Sequence, residues 1–222
     1  MRQTASRDKH NPDLLALMPP DARRVIEVGC GTGALAKAYR AVNPGCDYVG
    51  VEIDADYARI AAQACSAVVN EDIERADQAT FAGLFPSDCW VFGDSLEHLR
   101  DPWTILRRVR AGLAPGGAVV ACIPNAQHWS MQAKLNLGLL RYEDAGLLDR
   151  THLRFFTRIT LQELFLSTGY QIVQGMPRVF DEPGRDRVLP ALRALADAQG
   201  GDPDLAVQDA MALQYVVRAV PG

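Results

Sequence analysis

Four short apolar runs, each followed by a helical pattern, constrain this chain more than any other feature of its sequence. "RRVIEV" precedes "ALAKAYRAV", "DYVGVEI" precedes "DYARIAAQA", "SAVV" precedes "DQATFAGLF", "CWVF" precedes "PWTILRRVRAGL", and a fifth apolar run, "GAVVACI", follows. Strands that alternate with helices lie parallel in one sheet, because each helix carries the chain back to the end where the strand began, and such a sheet needs helices on both faces. The expectation is a single α/β domain over residues 1–222. After the fifth run the alternation breaks. The next clear helix, "TLQELFLST", begins near Thr160, roughly thirty-five residues on, where such connections ordinarily take about two to six. Residues 124–158 are therefore read as an insertion after strand 5, a lid or acceptor-binding segment, with an amphipathic helix through Trp129, Leu135 and Leu139. Residues 179–222 form a C-terminal segment: a Pro/Gly/Asp-rich link, a helix around "ALRALADAQ", and a last strand, "ALQYVVRAV".

Charge and cysteine use narrow the partners. A net charge of −4 over 222 residues supplies no basic field for nucleic acid or anionic lipid. The cysteines, Cys30, Cys46, Cys65, Cys89 and Cys122, are scattered, in neither a disulfide framework nor a zinc spacing. No run is long enough for a secretion signal or a membrane span. The reading is a cytoplasmic protein of a reducing compartment that acts on a small molecule, without nucleic acid and with no statement of its oligomeric state.

The turn after the first strand, "VIEVGCGTGALA", sets Gly29, Gly31 and Gly33 between a buried strand and a helix. Glycine there allows positive φ and close backbone approach to a ligand, so a nucleotide is expected. The same spacing also satisfies the dinucleotide fingerprint of dehydrogenases, with Glu52 at the distance of a ribose-binding acid. Three details separate the two. Glu27, inside the strand, repels a pyrophosphate but suits a positive ligand group. Asp72, in "VVNEDIE", lies just past the third strand, where an acid accepts from an adenine amino group. No Tyr-x-x-x-Lys pair for hydride transfer occurs in the chain.

In order and spacing, "EVGCGTG", "VGVEID", "NEDIE", "SLEHLRDP" and "LAPGGAVVACIPN" resemble the successive motifs of class I S-adenosylmethionine-dependent methyltransferases, over roughly residues 12–178. The resemblance implies a Rossmann-like seven-stranded, mostly parallel sheet of order 3-2-1-4-5-7-6, with only strand 7 antiparallel and "YQIVQGM" and "ALQYVVRAV" as the final pair. It also implies S-adenosyl-L-methionine as cofactor. Gly29, Cys30, Gly31 and Gly33, with Glu27 nearby, fall at the methionine and ribose moieties. Glu52 and Ile53 fall at the ribose hydroxyls, Asp72 and Ile73 at the adenine, and Asp94, Ser95 and Leu96 on the methionine side.

The acceptor side is read from two segments. "SLEHLRDPW" is similar to the small-molecule branch, ubiquinone-biosynthesis O-methyltransferases among them, and lacks the Asn/Asp-Pro-Pro-aromatic motif of nucleic-acid and glutamine methyltransferases. His98 is a candidate base; the alternative is that Glu97 and His98 merely cap the helix from Pro102. "GLLDRTHLRFFTRITLQELFLSTGY" is similar to a segment of bacterial methyltransferases associated with polysaccharide assembly, which implies O-methylation of a sugar or glycan precursor. N- or C-methylation, or cofactor binding without transfer, are the alternatives. Within it Asp149, Arg150, His152 and Arg154 are expected to face inward, His152 as a base, with Leu147, Leu148, Phe155 and Phe156 as anchors. The competing account pairs Asp149 with Arg150 or Arg154 as architecture. His128 and Trp129 are further acceptor contacts. No ligand spacing on a single element calls for a metal, and none is expected.

Overall fold

The computed structural model describes residues 9–222; residues 1–8 of the expected domain lie outside the described residues. The strands are β1 (Arg24–Val28), β2 (Asp47–Val51), β3 (Ala67–Val69), β4 (Ser87–Gly93), β5 (Leu113–Pro124), β6 (Tyr170–Val179) and β7 (Ala212–Pro221). They form one seven-stranded sheet of order β3-β2-β1-β4-β5-β7-β6. β1 to β5 pair in parallel, and β7 runs antiparallel between β5 and β6, the topology expected from the sequence.

Successive residues of β4 show how both faces are covered. Trp90 and Phe92 point into one apolar cluster, with Phe81, Leu106, Leu161 and Phe165 from the helices α4 (Gln78–Gly83), α5 (Pro102–Gly112) and α7 (Arg158–Ser167). Cys89 and Val91 point into the other, with Leu14, Leu35, Tyr39 and Ala61 from α1 (Pro12–Leu17), α2 (Ala34–Val42) and α3 (Ala55–Ala61). A strand buried on both faces has no polar alternate positions to offer, which is why "CWVF" reads as a continuous apolar run.

Helix starts follow side-chain caps. Asp54, Asp77 and Asp101 cap α3, α4 and α5, and Thr157 and Thr160 form a capping box at α7. The cap of α5 is thus Asp101, whose carboxylate accepts from Thr104 N at 3.0 Å. Glu97 and His98, the alternative cap candidates, are not used for that purpose.

The segment after β5 carries α6 (Trp129–Asn136), but its expected apolar stripe does not form. Leu135 is 64% exposed, Leu139 lies beyond the helix, and Met131 is the buried residue. The tail holds α8 (Arg185–Ala198) at the expected place and a further helix, α9 (Pro203–Met211), capped by Asp202. No helix of the described residues is long and apolar enough to cross a membrane.

Asn125, at the end of β5, ties this tail to the sheet. Fully buried, it donates through Nδ2 to the carbonyls of Asp209 (2.8 Å) and Ala212 (2.7 Å) and accepts from Gln127 N (3.0 Å). Asn125→Ala withdraws both donors from buried carbonyls. It should lower unfolding free energy by about 2–4 kcal/mol, read as a reduced urea midpoint with unchanged slope.

Candidate active site

Parallel strands share one carboxyl edge, and the order β2-β1-β4 places a topological switch between β1 and β4, where crevices form in open α/β sheets. The expected cofactor residues meet there. Gly29 follows β1 with φ 73° and its N–H bonds Val51 O at 2.8 Å; a Cβ on it would stand 3.1 Å from Ser95 Cβ. Gly33 (φ 79°) caps α2, and a Cβ there would press on Ala61 and Ala64. Gly31 N donates to Glu52 Oε2 at 2.7 Å, while Asp54 N donates to Oε1 at 2.9 Å. The glycine loop is thereby built around an internal carboxylate.

Other members of the set are placed as follows. Glu27 lies beneath the loop on the α2/α3 face, taking a hydrogen bond from Tyr48 OH at 2.9 Å. The Cys30 side chain is buried in the core against Cys65 and Gly50, so only its backbone borders the loop. Ile53 is about half exposed and Ile73 is buried. Asp72 opens a turn, accepting from Glu74 N at 3.0 Å, and lies 3.5 Å from Arg75 Nε. Leu96 is fully buried, and Ser95 Oγ is buried without a hydrogen-bond partner among the described residues.

Asp94 has φ 56°, a conformation rare outside glycine. Its N–H donates to Cys122 O at 3.0 Å, and its carboxylate accepts from Gln214 Nε2. Gln214 Oε1 in turn accepts from Arg178 (2.6 Å), which pairs with Asp13 of α1 (2.7 Å). Sequence reasoning missed this Gln214–Arg178–Asp13 chain, since its members sit on three elements with no local signal.

The residues expected on the acceptor side lie where the insertion crosses the short 3₁₀ turn Leu96–His98. Leu153 N and Arg154 N both donate to Glu97 O, at 2.8 and 3.0 Å. His98 Nδ1 lies 3.1 Å from both Thr151 O and Thr151 Oγ1, and Thr151 Oγ1 donates to Asp149 at 2.6 Å. His152 Nδ1 lies 3.3 Å from Leu147 O, its ring meets that of His98 edge-on at 4.8 Å, and its Nε2 is 3.9 Å from Glu97 Oε1. Asp149 and His152 thus turn inward together.

The two arginines do not. Arg150 is exposed and pairs with Asp144 at 2.6 Å; Arg154 is exposed, donates to Arg100 O and lies over Trp103. Their aliphatic stems and charged heads find water more readily than the acidic, desolvated interior, which corrects the expected inward set. Neither pairs with Asp149. Phe155 is also half exposed, so the anchors are Leu148 and Phe156. His128 and Trp129 both reach Glu182 Oε2, at 2.9 Å from each ring nitrogen, and His128 has no exposed surface. In this structure His128 therefore ties the insertion to the C-terminal segment.

Burial governs the protonation of this region. Desolvation, followed by Asp94, raises Glu97 well above the usual carboxylate range. Desolvation also raises Glu52 and, with the His98 charge, lowers His152. Burial pushes Glu27 up to about 8 in spite of the Tyr48 bond. Because the folded state binds the Glu27 proton more tightly than the unfolded chain, whose value is 4.5, this stabilisation is complete below 4.5 and is lost as pH rises through about 8. Glu27→Gln, neutral throughout, should flatten the fall of melting temperature from about pH 5 to about pH 8; parallel melting curves for the two proteins would contradict it.

A family model described as a methyltransferase domain matches residues 2–175. No curated protein sequence matches the chain. Among solved structures, an O-methyltransferase from a trans-AT polyketide multienzyme of Brevibacillus brevis, in complex with S-adenosyl-L-homocysteine, has 13% identity and a TM-score of 0.62, covering 95% of this chain and 71% of its own. The magnesium protoporphyrin IX methyltransferase of Synechocystis, with the same ligand bound, has 12% identity and a TM-score of 0.60 over 94% and 78%. Mitomycin 7-O-methyltransferase has 15% identity and a TM-score of 0.59 over 95% of this chain; the chain spans 52% of that protein. At these identities the likeness is one of fold.

Proposed function

The chain belongs to the methyltransferase-domain family, and from that premise we propose that it transfers a methyl group from S-adenosylmethionine to a hydroxyl of a small molecule. The observation that carries the reading is the meeting, at one sheet edge, of an acidic glycine-loop site with a histidine pair covered by the insertion. Bound there, the cofactor supplies a methyl group activated by positive sulfur.

The donor chemistry fits such a cofactor. Glu52 and Asp94 border the loop with acceptors, as a sulfonium and an ammonium require, with the neutral carboxyl of Glu27 beneath it, and the unpartnered Ser95 Oγ beside Gly29 offers one more. In this reading Gly29, the Cys30 backbone, Gly31 and Gly33 approach the methionine and ribose, with Glu52 and Ile53 at the ribose. Asp72 and Ile73 take the adenine, and Asp94, Ser95 and Leu96 the methionine side. Glu52→Gln removes the charge and, because an amide nitrogen cannot accept from a backbone N–H, one of the two bonds from Gly31 N and Asp54 N. It should weaken S-adenosylmethionine binding by about 1.5–3 kcal/mol, and unchanged calorimetric affinity would remove Glu52 from the site.

On the acceptor side, both histidines place Nδ1 against backbone carbonyls, which leaves Nε2 of each as the lone-pair nitrogen. These nitrogens are the groups that serve an acceptor hydroxyl. His152→Ala should leave cofactor affinity intact and lower turnover roughly a hundredfold or more; full activity in the variant would show that His152 is not part of the acceptor centre.

The acceptor's body is addressed by a cavity of about 390 Å³ lined by Met131, Leu135, Leu140, Tyr142, Leu148 and Phe155. Phe155 borders it 6.2 Å from the His152 ring. An apolar wall favours a hydroxyl carried on an aromatic or aliphatic frame. A sugar or glycan precursor is the second reading, supported by the polar groups Asp149, Thr151 and His152 rather than by the wall. Labelled cofactor offered with phenols, nucleotide sugars and amines, and read by mass spectrometry, distinguishes them: oxygen-methylated phenols are expected, and products from amines alone would overturn hydroxyl transfer.

A further inference from the structure

Glu97 is 1% exposed, and neither of its carboxylate oxygens has a hydrogen-bond partner among the described residues. A carboxylate buried in this way is costly unless it is neutralised, paired or bound to a metal. Two imidazoles stand beside it. One ligand atom from each of Glu97, His98 and His152 lies within 4.8 Å of the others.

The histidines are held as metal ligands usually are. A ligating imidazole typically gives its second ring nitrogen to a backbone carbonyl or carboxylate, which fixes its tautomer and orientation. His98 Nδ1 meets Thr151 O at 3.1 Å, and His152 Nδ1 meets Leu147 O at 3.3 Å. Thr151, in turn, is bound to Asp149. Ligands around one ion at ~2.1 Å stand roughly 3 Å apart, so closure from the present separations takes rotamer adjustments of about an ångström. The segment bearing His152 is already pinned to the Glu97 carbonyl by Leu153 N and Arg154 N, so the backbone need not move.

We propose that Glu97, His98 and His152 form a binding site for one divalent transition-metal ion. Two imidazole nitrogens and one carboxylate suit zinc, manganese, iron or cobalt and disfavour magnesium and calcium, which take oxygen ligands. Three protein ligands leave positions open for water or an acceptor oxygen. This deepens the proposed acceptor centre and rests on that reading for its use in catalysis; the binding of the ion does not. The sequence gives no notice of the site, because its ligands come from two segments and follow no single-element spacing.

The test uses tag-free, full-length protein stripped with chelator and titrated with cobalt(II), followed by its visible absorbance and by calorimetry. One equivalent should bind, be displaced by zinc, and remain undisturbed by a large excess of magnesium. His98→Ala, His152→Ala and Glu97→Gln should each weaken cobalt binding by about 10- to 100-fold or more, while circular dichroism and S-adenosylmethionine calorimetry report on folding and on the cofactor site. If the Glu97 variant unfolds, the two histidine variants decide. Failure of the stripped wild-type protein to bind cobalt or zinc, or undiminished binding in both histidine variants, would overturn the metal site. Retained cofactor binding in that case leaves the methyltransferase reading standing, whereas metal binding without any cofactor binding would sink the methyltransferase reading alone.

Discussion

Carboxylates withdrawn from water at the carboxyl edge of the sheet are the constraint around which the rest of this structure is arranged. Glu27, Glu52, Glu97 and Asp149 are all buried there. Each must be neutralised, hydrogen-bonded or matched to a positive ligand, and the chain uses different solutions for different members. Glu52 is bonded by two backbone amides, Glu27 by a tyrosine hydroxyl, and Asp149 by Thr151. Glu97 has none of these. Amides and hydroxyls thus hold Glu27, Glu52 and Asp149, whereas Glu97 has imidazoles for neighbours.

The parallel sheet makes this grouping unavoidable. Each helix returns the chain, so the residues that follow β1, β2, β3 and β4 converge although they are far apart in sequence. Positive-φ glycines fit the loop at Gly29 and Gly33 because neighbouring Ser95, Ala61 and Ala64 leave no room for a side chain. The insertion then closes the other side through backbone bonds to Glu97, with buried Leu148 and Phe156 as its anchors.

Much of this was legible in advance. Strand and helix order follow from apolar runs and their periods, since strands such as "CWVF" must be apolar on both faces. The glycine loop, Glu52 and Asp94 were legible for a like reason, since they lie directly after strands, while Glu27 lies within one. What escaped was everything set by long-range packing. α9, with a weak apolar pattern after Asp202, went unread, and with it buried Asp209, which bonds Arg158 and Tyr215. Orientation within "LLDRTHLRFF" was half right, because a charged segment can be recognised as interfacial without its sequence stating which charges turn inward. The contact of His128 with Glu182 was not legible, because its partner lies over fifty residues away.

β7 is placed between β5 and β6, and the order of assembly follows from that. Residues of β6 have no sheet partner until β7 pairs with Val119 to Pro124 on one side and with β6 on the other. Non-local pairings of this kind close late, after the local strand-helix units have formed. A chain still missing β7 would carry an open β5 edge and lack Gln214, the residue that holds Asp94 in its unusual conformation. The conformation of Asp94 thus depends on the same strand that completes the sheet.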